Sequence, residues 1–430
     1  MLLKLKKFSF NEYLILLLPI FLISGSFLPD LVCTYLGLYV LIKLIKEKKI
    51  FFYKNIIFYY FFFIFIYLNI NSFFSFSPFI SFKSSLPYIR IILFIFALSF
   101  FLQKNKRLYR SFFFSSLACF LLLFFDSILQ FFTNYNLLGN KIIFISRISS
   151  FFGDELIMGS FVSRLLPVII GISYLINFKN RNTINLIVLF ISGVLVVLSG
   201  ERLAFFYYLM LVFFYLFLNQ KQLIKFSLIF ILLITIIFSY NKAALDRIFG
   251  FTYFQYKQSN SIISYRHTLH FLTAYEMFLD KKVFGHGIKS FRNLCDLPKY
   301  ENLMQQKIFN DTSSRLKDNL DYSYVQEYKN GCNTHPHNIY LEFLSELGFV
   351  GFMLFIIIFF YVFYLLLRFL FHFKKEHTTN NAISSAFMLF AVFISMFPFI
   401  TSGSYFHNWL LILSYLPIGF YLSLNKKKND

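Results

Sequence analysis

Charged side chains are scarce in this chain of 430 residues: Asp, Glu, Lys and Arg together make up 14%, against roughly 25% in a soluble globular domain. Several enzyme signatures are missing as well. There is no P-loop, no GxGxxG behind a strand and no HExxH, so the phosphate-loop, dinucleotide and zinc-protease chemistries those motifs carry find no support. Apolar stretches such as FFFIFIYLNI and ILLITIIF do not alternate with polar residues, which argues against a membrane β-barrel. The first apolar segment lacks a small-residue cleavage site and is followed at once by a second, so no cleavable signal peptide is expected. Cysteines number only four. Cys33 and Cys119 fall in apolar segments and read as packing residues. Cys295 and Cys332 fall in the one long polar stretch and form a candidate disulfide if that stretch meets an oxidising compartment.

Apolar residues, by contrast, make up 58% of the chain, with a mean hydropathy of +0.65. Runs of about 18 or more residues recur, enough to cross a hydrocarbon core of about 30 Å as helices. The expected fold class is all-α, a polytopic helical membrane protein. Its spans fall at roughly 12–29, 30–46, 52–71, 86–103, 108–132, 156–178, 183–199, 201–219, 222–239, 349–371, 383–402 and 405–424, about twelve helices. Phe is very common, at 67 residues, and its runs lie inside these spans, which reads as lipid-facing and interhelical packing and not as stacking on nucleic acid. The net charge of +21 fits either attraction to anionic lipid and phosphate or a compositional bias that inflates Lys, Phe, Ile and Asn together. Its placement says more. Lys7, Lys43 and Lys46, Lys104 to Arg110, Lys179 and Arg181, Lys221, Lys374 and Lys375, and Lys426 to Lys428 mark every second connection, as the positive-inside rule expects with both termini cytoplasmic.

Three sections follow: helices over 1–239, a large outer loop over 240–348, and helices over 349–430. The loop holds most of the His, Asp and Glu, and loops on a rigid scaffold commonly carry function. His267 and His270 form HxxH, and His335 and His337 form HxH, but no cysteine pair or acidic partner stands at metal spacing. His337 precedes HNIYLEFLSELG, where Ile339, Phe343 and Leu347 fall on one helical side and Asn338, Glu342 and Ser345 on another. The pattern suggests a helix lying on the membrane surface, with His337 either presented to a substrate as a base or capping the helix. Arg90, Arg164 and Arg202 lie in or beside apolar spans and Arg266 early in the loop. Intramembrane charges are functional-site candidates, and guanidinium groups bind phosphate oxygens bidentately. Pairing with a local carboxylate is the alternative for each; adjacent Glu201 faces away from Arg202 on a helix.

Four pieces, in order, resemble the O-antigen ligase and O-antigen polymerase superfamily. SSFFGDELIMGSFVSRLLP (Ser149–Pro167) is similar to a glycine-containing segment entering a central helix. LSGERLAFF (Leu198–Phe206) is similar to a small-Gly-x-Arg motif. Tyr265–Arg292 resembles an Arg-bearing amphipathic helix followed by GxGxxxF, here Gly285, Gly287 and Phe291. HPHNIYLEFLSELGFVG (His335–Gly351) resembles the signature in which His-Asn precedes a helix ending in Glu-x-Gly-x-x-Gly. One departure is Leu269-His270-Phe271, where that family often carries an aromatic such as Trp.

The resemblance implies a bacterial inner-membrane glycosyltransferase with a periplasmic active site. Its donor would be a glycan on polyprenyl (undecaprenyl) diphosphate, and its acceptor a glycan or lipid A core sugar, as in lipopolysaccharide biosynthesis. No metal or other cofactor and no nucleic acid is implied. By carry-over, Arg202 and Arg266 would hold the diphosphate and His337 would activate the acceptor hydroxyl, with Asn338, Arg164, Arg90, Gly285, Gly287 and Glu342 as weaker candidates for binding diphosphate or glycan. A polymerase of the same superfamily differs only in acceptor. Two further readings are a lipid or polysaccharide flippase, and a phosphosugar-using transferase with Asp30 as its acidic residue.

Overall fold

The computed structural model describes residues 7–47, 55–144, 146–220, 242–250, 263–300, 331–373, 378–398 and 402–425, with single positions at 227, 231, 235 and 253. Among the described residues the regular elements are helical, with only two isolated bridges, Tyr135 with Lys141 and Phe144 with Arg147. The main helices are α1 (Phe10–Ile23), α2 (Phe27–Lys46), α3 (Ile56–Phe73), α4 (Pro78–Ser85), α5 (Tyr88–Lys104), α6 (Arg107–Thr133), α7 (Met158–Ser173), α8 (Arg181–Ser199), α9 (Arg202–Leu218), α10 (Tyr265–Asp280), α11 (Gly348–Phe373), α12 (Asn380–Ser395) and α13 (Asn408–Leu424). The short α4 was not expected; Pro78 starts it, where a missing N–H is harmless.

Among the described residues six helical segments are long and apolar enough to cross a membrane: Phe27–Lys46, Ile56–Phe73, Pro78–Lys104, Arg107–Thr133, Arg181–Ser199 and Ile339–Phe373. The sequence led to about twelve. Five of the other helices, α1, α7, α9, α12 and α13, are apolar but have 10–17 residues. At 1.5 Å per residue even the longest of them rises only about 26 Å, short of a core of about 30 Å. Apart from positions 227, 231 and 235, the expected span at 222–239 lies outside the described residues.

Burial follows composition. Nearly every residue of α7 is buried, and it packs on α8, α9 and α12, while α5 packs on α2 and α13. A helix apolar all round belongs inside a bundle or a bilayer. The outer helices α3 and α11 leave Phe63, Ile70, Phe360 and Tyr364 exposed, an apolar surface that suits lipid. Inside, the Tyr88 and Tyr415 hydroxyls are hydrogen-bonded, and Tyr415 pairs in turn with Tyr405 at 2.7 Å. This chain of hydroxyls ties α5 and α13 to the connection before α13. Both α6 and α8 start at a basic turn, with Arg107 and Arg181, and both end, at Thr133 and Ser199, beside the connections that build the site described next.

Candidate active site

A cavity of about 680 Å³ lies where the connections before α7, α9, α10, α11 and α13 converge. Its charged lining is Arg147, Arg164, Arg202, Arg247 and Arg292 against Glu155 and Glu201, with His267, His335, His337 and His407 beside them. Five guanidinium groups less two carboxylates leave three positive charges. The site is therefore not confined to the long polar stretch, because Arg147 comes from the connection before α7 and His407 from the one before α13.

Local backbone geometry explains the sequence motifs. Glu201 turns away from its neighbour Arg202 and accepts hydrogen bonds from Gly159 N at 2.7 Å, Ser160 N at 3.3 Å and Ser160 Oγ at 2.8 Å. A carboxylate on the first-turn N–H groups of α7 suits the positive end of the helix dipole. Burial pushes the Glu201 carboxyl up, opposed by Ser160 and by the charge of Arg147. Gly200 has φ +61°, and a Cβ there would lie 2.1 Å from the Ser146 carbonyl oxygen, 3.2 Å from Arg247 Cδ and 3.3 Å from Arg147 Cγ. Glycine at this place lets two arginine stems pass. Arg147 also donates to the Leu156 carbonyl at 2.8 Å. Burial lowers the pKa of Arg147 and of Arg247, with Glu201 opposing it in both, though an arginine stays charged. Arg164, 3% exposed, lies over the Tyr207 ring at 5.2 Å and donates to the Ser160 carbonyl at 3.3 Å.

The histidines form one cluster. The His337 ring centroid lies 4.1 Å from that of His335, 5.1 Å from His267 and 5.3 Å from His270. Burial drives the His337 pKa far below its ordinary value, helped by His335, His267, His270 and Arg266. Burial likewise pushes His267 and His335 down to about 4. These rings are neutral at pH 7, so each keeps one nitrogen lone pair. His337 has φ +57°, an uncommon backbone conformation for a side-chain-bearing residue, and its carbonyl accepts from Ser402 N at 2.7 Å. Among the described residues no group of three or more His, Cys, Asp or Glu is arranged to hold a metal ion.

Of the sequence candidates, Arg164, Arg202 and His337 meet at the cavity. Arg266 does not line it; its charge acts on His267, His270 and His337. Arg90 lies apart, paired with Asp30 at 2.9 Å, which also engages the acid considered for the phosphosugar reading. Asn338, Glu342, Gly285 and Gly287 support the site from behind. Asn338 caps the helix, accepting from Tyr340 N at 3.0 Å and Leu341 N at 3.1 Å, and it donates to the Pro398 carbonyl at 2.9 Å. Glu342 accepts from Ser404 Oγ at 2.5 Å and Tyr405 N at 2.8 Å.

The surface helix expected after His337 is corrected. One α-turn, Ile339–Glu342, passes into a π-helix, Phe343–Leu347, before Gly348 restarts the helix at φ +68°. Both faces are buried, Glu342, Ser345 and Glu346 as fully as Ile339, Phe343 and Leu347. The polar face is satisfied inside the protein: Glu346 accepts from Lys289 N at 2.7 Å and Phe291 N at 3.2 Å. Gly285 and Gly287 belong to this contact, since a Cβ on Gly285 would lie 2.5 Å from the Glu346 carbonyl carbon and Gly287 N donates to the Glu346 carbonyl at 2.7 Å. Cys295 is bonded to Cys332, with their α-carbons 4.8 Å apart. Sequence reasoning missed Arg147, Arg247 and His407, and it gave Arg292 and His335 no role. The available signal was His407, with no Asp, Glu, Lys or Arg beside it in the connection before α13; Arg147 and Arg247 stand among other charged residues, which hides them.

Residues 187–356 match the model of a family described as O-Antigen ligase. No curated protein matches the chain. The family match covers α8, α9, the polar stretch and the start of α11, and it supports the O-antigen ligase superfamily for this chain.

Proposed function

We propose that this chain, similar to O-antigen ligases, transfers a glycan from a polyprenyl diphosphate to an acceptor sugar hydroxyl. The observation that carries the reading is the cavity itself: five arginines share it with the half-buried, neutral His337. A diphosphate leaving group needs fixed cations as its charge grows, and a preorganised donor in such a role contributes about 3–4 kcal/mol. Arg164, Arg202 and Arg292, from the motif-bearing segments, share the cavity with His337, and Arg147 and Arg247 add charge around them; Arg266 acts through the histidines.

In the step, the acceptor oxygen attacks the anomeric carbon and the bond from that carbon to the phosphate oxygen breaks. The diphosphate departs with the electron pair, and the hydroxyl proton passes to His337. The anomeric configuration inverts. A positioned base of this kind contributes about 10²–10⁴-fold. The depressed basicity of His337 belongs to the unliganded site, because a bound diphosphate offsets the surrounding cations and favours the imidazolium. Basic turns at the opposite ends of α6 and α8 support an outer-face location for the cavity, with Arg107 and Arg181 inside. The exposed apolar flanks of α3 and α11 suit the polyprenyl tail.

Purified protein should be given a lipid-diphosphate-linked glycan together with a lipid A core acceptor. Glycan on the core sugar supports a ligase; lengthened glycan on the carrier lipid means a polymerase. Release of neither product, with donor bound, refutes the transfer reading.

A further inference from the structure

A hydroxyl proton can move only to a nitrogen that holds a lone pair, and a neutral imidazole has one such nitrogen, set by its tautomer. Which nitrogen of His337 this is follows from a short chain of hydrogen bonds. His270 Nδ1 lies 2.8 Å from the Gly331 carbonyl oxygen. A carbonyl only accepts, so Nδ1 carries the proton and His270 Nε2 is bare. Asn333 Nδ2 lies 3.3 Å from that Nε2. The other end of the same carboxamide, Oδ1, accepts from Thr334 N at 2.7 Å, which fixes which end is the nitrogen. The second hydrogen of Asn333 Nδ2 is directed at His337 Nε2, 3.1 Å away. His337 Nε2 therefore holds the lone pair, and Nδ1 holds the proton.

The segment that carries Asn333 is pinned on both sides. A Cβ on Gly331 would lie 2.0 Å from Thr273 Oγ1 and 2.3 Å from the Leu269 carbonyl oxygen, so the chain presses directly on α10. Cys332 is bonded to Cys295, and the Ser402 amide holds the His337 carbonyl. His270 stands at the one departure from the family pattern, and here it anchors the chain of bonds.

We propose that Asn333 is a positioning residue for glycan transfer: it holds His337 in the tautomer whose Nε2 lone pair receives the acceptor's proton, and it gives up that contact when the hydroxyl binds. The proposal rests on His337 being the base. A neutral amide–imidazole contact at 3.1 Å is long enough to be exchanged for a hydroxyl. His337 is faced by His335 on its own connection and by His267, His270 and Arg266 on α10, and it shares the cavity with Arg202 and His407.

Two measurements on the full chain test this. The first is the ¹⁵N imidazole spectrum of the wild-type protein, with His337 assigned by its loss in His337→Ala. An unprotonated Nε2 with a protonated Nδ1 is expected; a protonated Nε2 overturns the proposal whether or not the chain is active. The second is the pH profile of transfer by Asn333→Asp. A carboxylate can only accept, so it draws a proton onto His337 Nε2. The acidic limb of the profile should rise by about 1–3 pH units, and turnover should stay at least about tenfold down even in alkali, because the neutral ring keeps its Nε2–H on the carboxylate, while donor KM holds. A residue that merely packs would leave the limb in place, and that result also overturns the proposal. The stated tautomer in a chain that transfers nothing removes the transfer reading, and Asn333's part in it, while the tautomer itself stands on the spectrum.

Discussion

Gly200→Ala separates the arrangement of the arginines from the stability of the fold. Gly200 sits at φ +61°, and its missing Cβ would lie 2.1 Å from the Ser146 carbonyl oxygen. A carbon–oxygen contact settles at about 3.3–3.6 Å, so the 146–147 backbone must retreat by about 1 Å. Arg147 moves with it, and Arg247, whose Cδ lies 3.2 Å from the same point, is pushed as well. The left-handed backbone adds about 1–2 kcal/mol of strain for any residue with a side chain. A misplacement of about 1 Å at a reacting centre can lower turnover by about 10²-fold. The control is Gly139→Ala, where φ is +82° and nothing lies within 4 Å of the added Cβ; it brings the same backbone penalty without the collision. Thermal unfolding and initial transfer rates should be measured on both. Each variant should lose about 1–2 kcal/mol of stability, Gly200→Ala somewhat more, but only Gly200→Ala should lose transfer, by about 10²-fold. Equal transfer by the two variants would refute the idea that Gly200 sets the arginine positions.

Five further outcomes are expected. His337→Ala should lower turnover by about 10²–10⁴-fold with donor binding retained in a lipid-diphosphate binding assay, and Arg202→Lys, which keeps the charge but loses the planar fork, should also lose much of its turnover. His267 and His335, held at about 4 by burial, are neutral in the folded chain and protonate below about 6.5 when it unfolds; the unfolded state then binds more protons, so unfolding free energy should rise with pH between about 4 and 6.5 and level off above, as chemical denaturation across that window would show. Glu342→Ala leaves Ser404 Oγ and Tyr405 N without their carboxylate, about 1–3 kcal/mol by the usual penalty for unmade buried bonds, and should be read by thermal unfolding. Arg90→Gln breaks the pair with Asp30 and should lower stability while donor KM stays put; a large KM change would return Arg90 to the binding site.

The helical membrane class was legible because apolar runs state their own length, and most expected spans fall on helices. The helix ends were not, because hydropathy does not say where the chain leaves the helix: α7 ends at Ser173 and α12 at Ser395, both short of the expected spans. Arg202 and His337 were legible because residue type and motif order coincide there. Arg147 and His407 were not, since neither lies in a motif and only packing of distant connections brings them to the cavity. Glu342 and Glu346 look like the solvated face of a surface helix when read by periodicity alone. Their partners lie 62 and 57 positions away, at Ser404 and Lys289, and no local pattern announces such bonds.

The wide spacing of the cavity walls along the chain also sets an order of assembly. Helices enter a membrane from the N-terminus onward, so Arg147, Arg164 and Arg202 are in place long before the last helix. A nascent chain that has emerged only as far as the family-matched segment, ending at 356, already holds His337 and its cap residue Asn338. It still lacks the Pro398 carbonyl that Asn338 binds, the Ser402 amide that holds the His337 carbonyl, and the Ser404 hydroxyl and Tyr405 amide on Glu342. The cavity therefore lacks its last walls until the 402–407 connection is made. Until that connection is in place the chain carries His337 and Asn338 without the contacts that hold them.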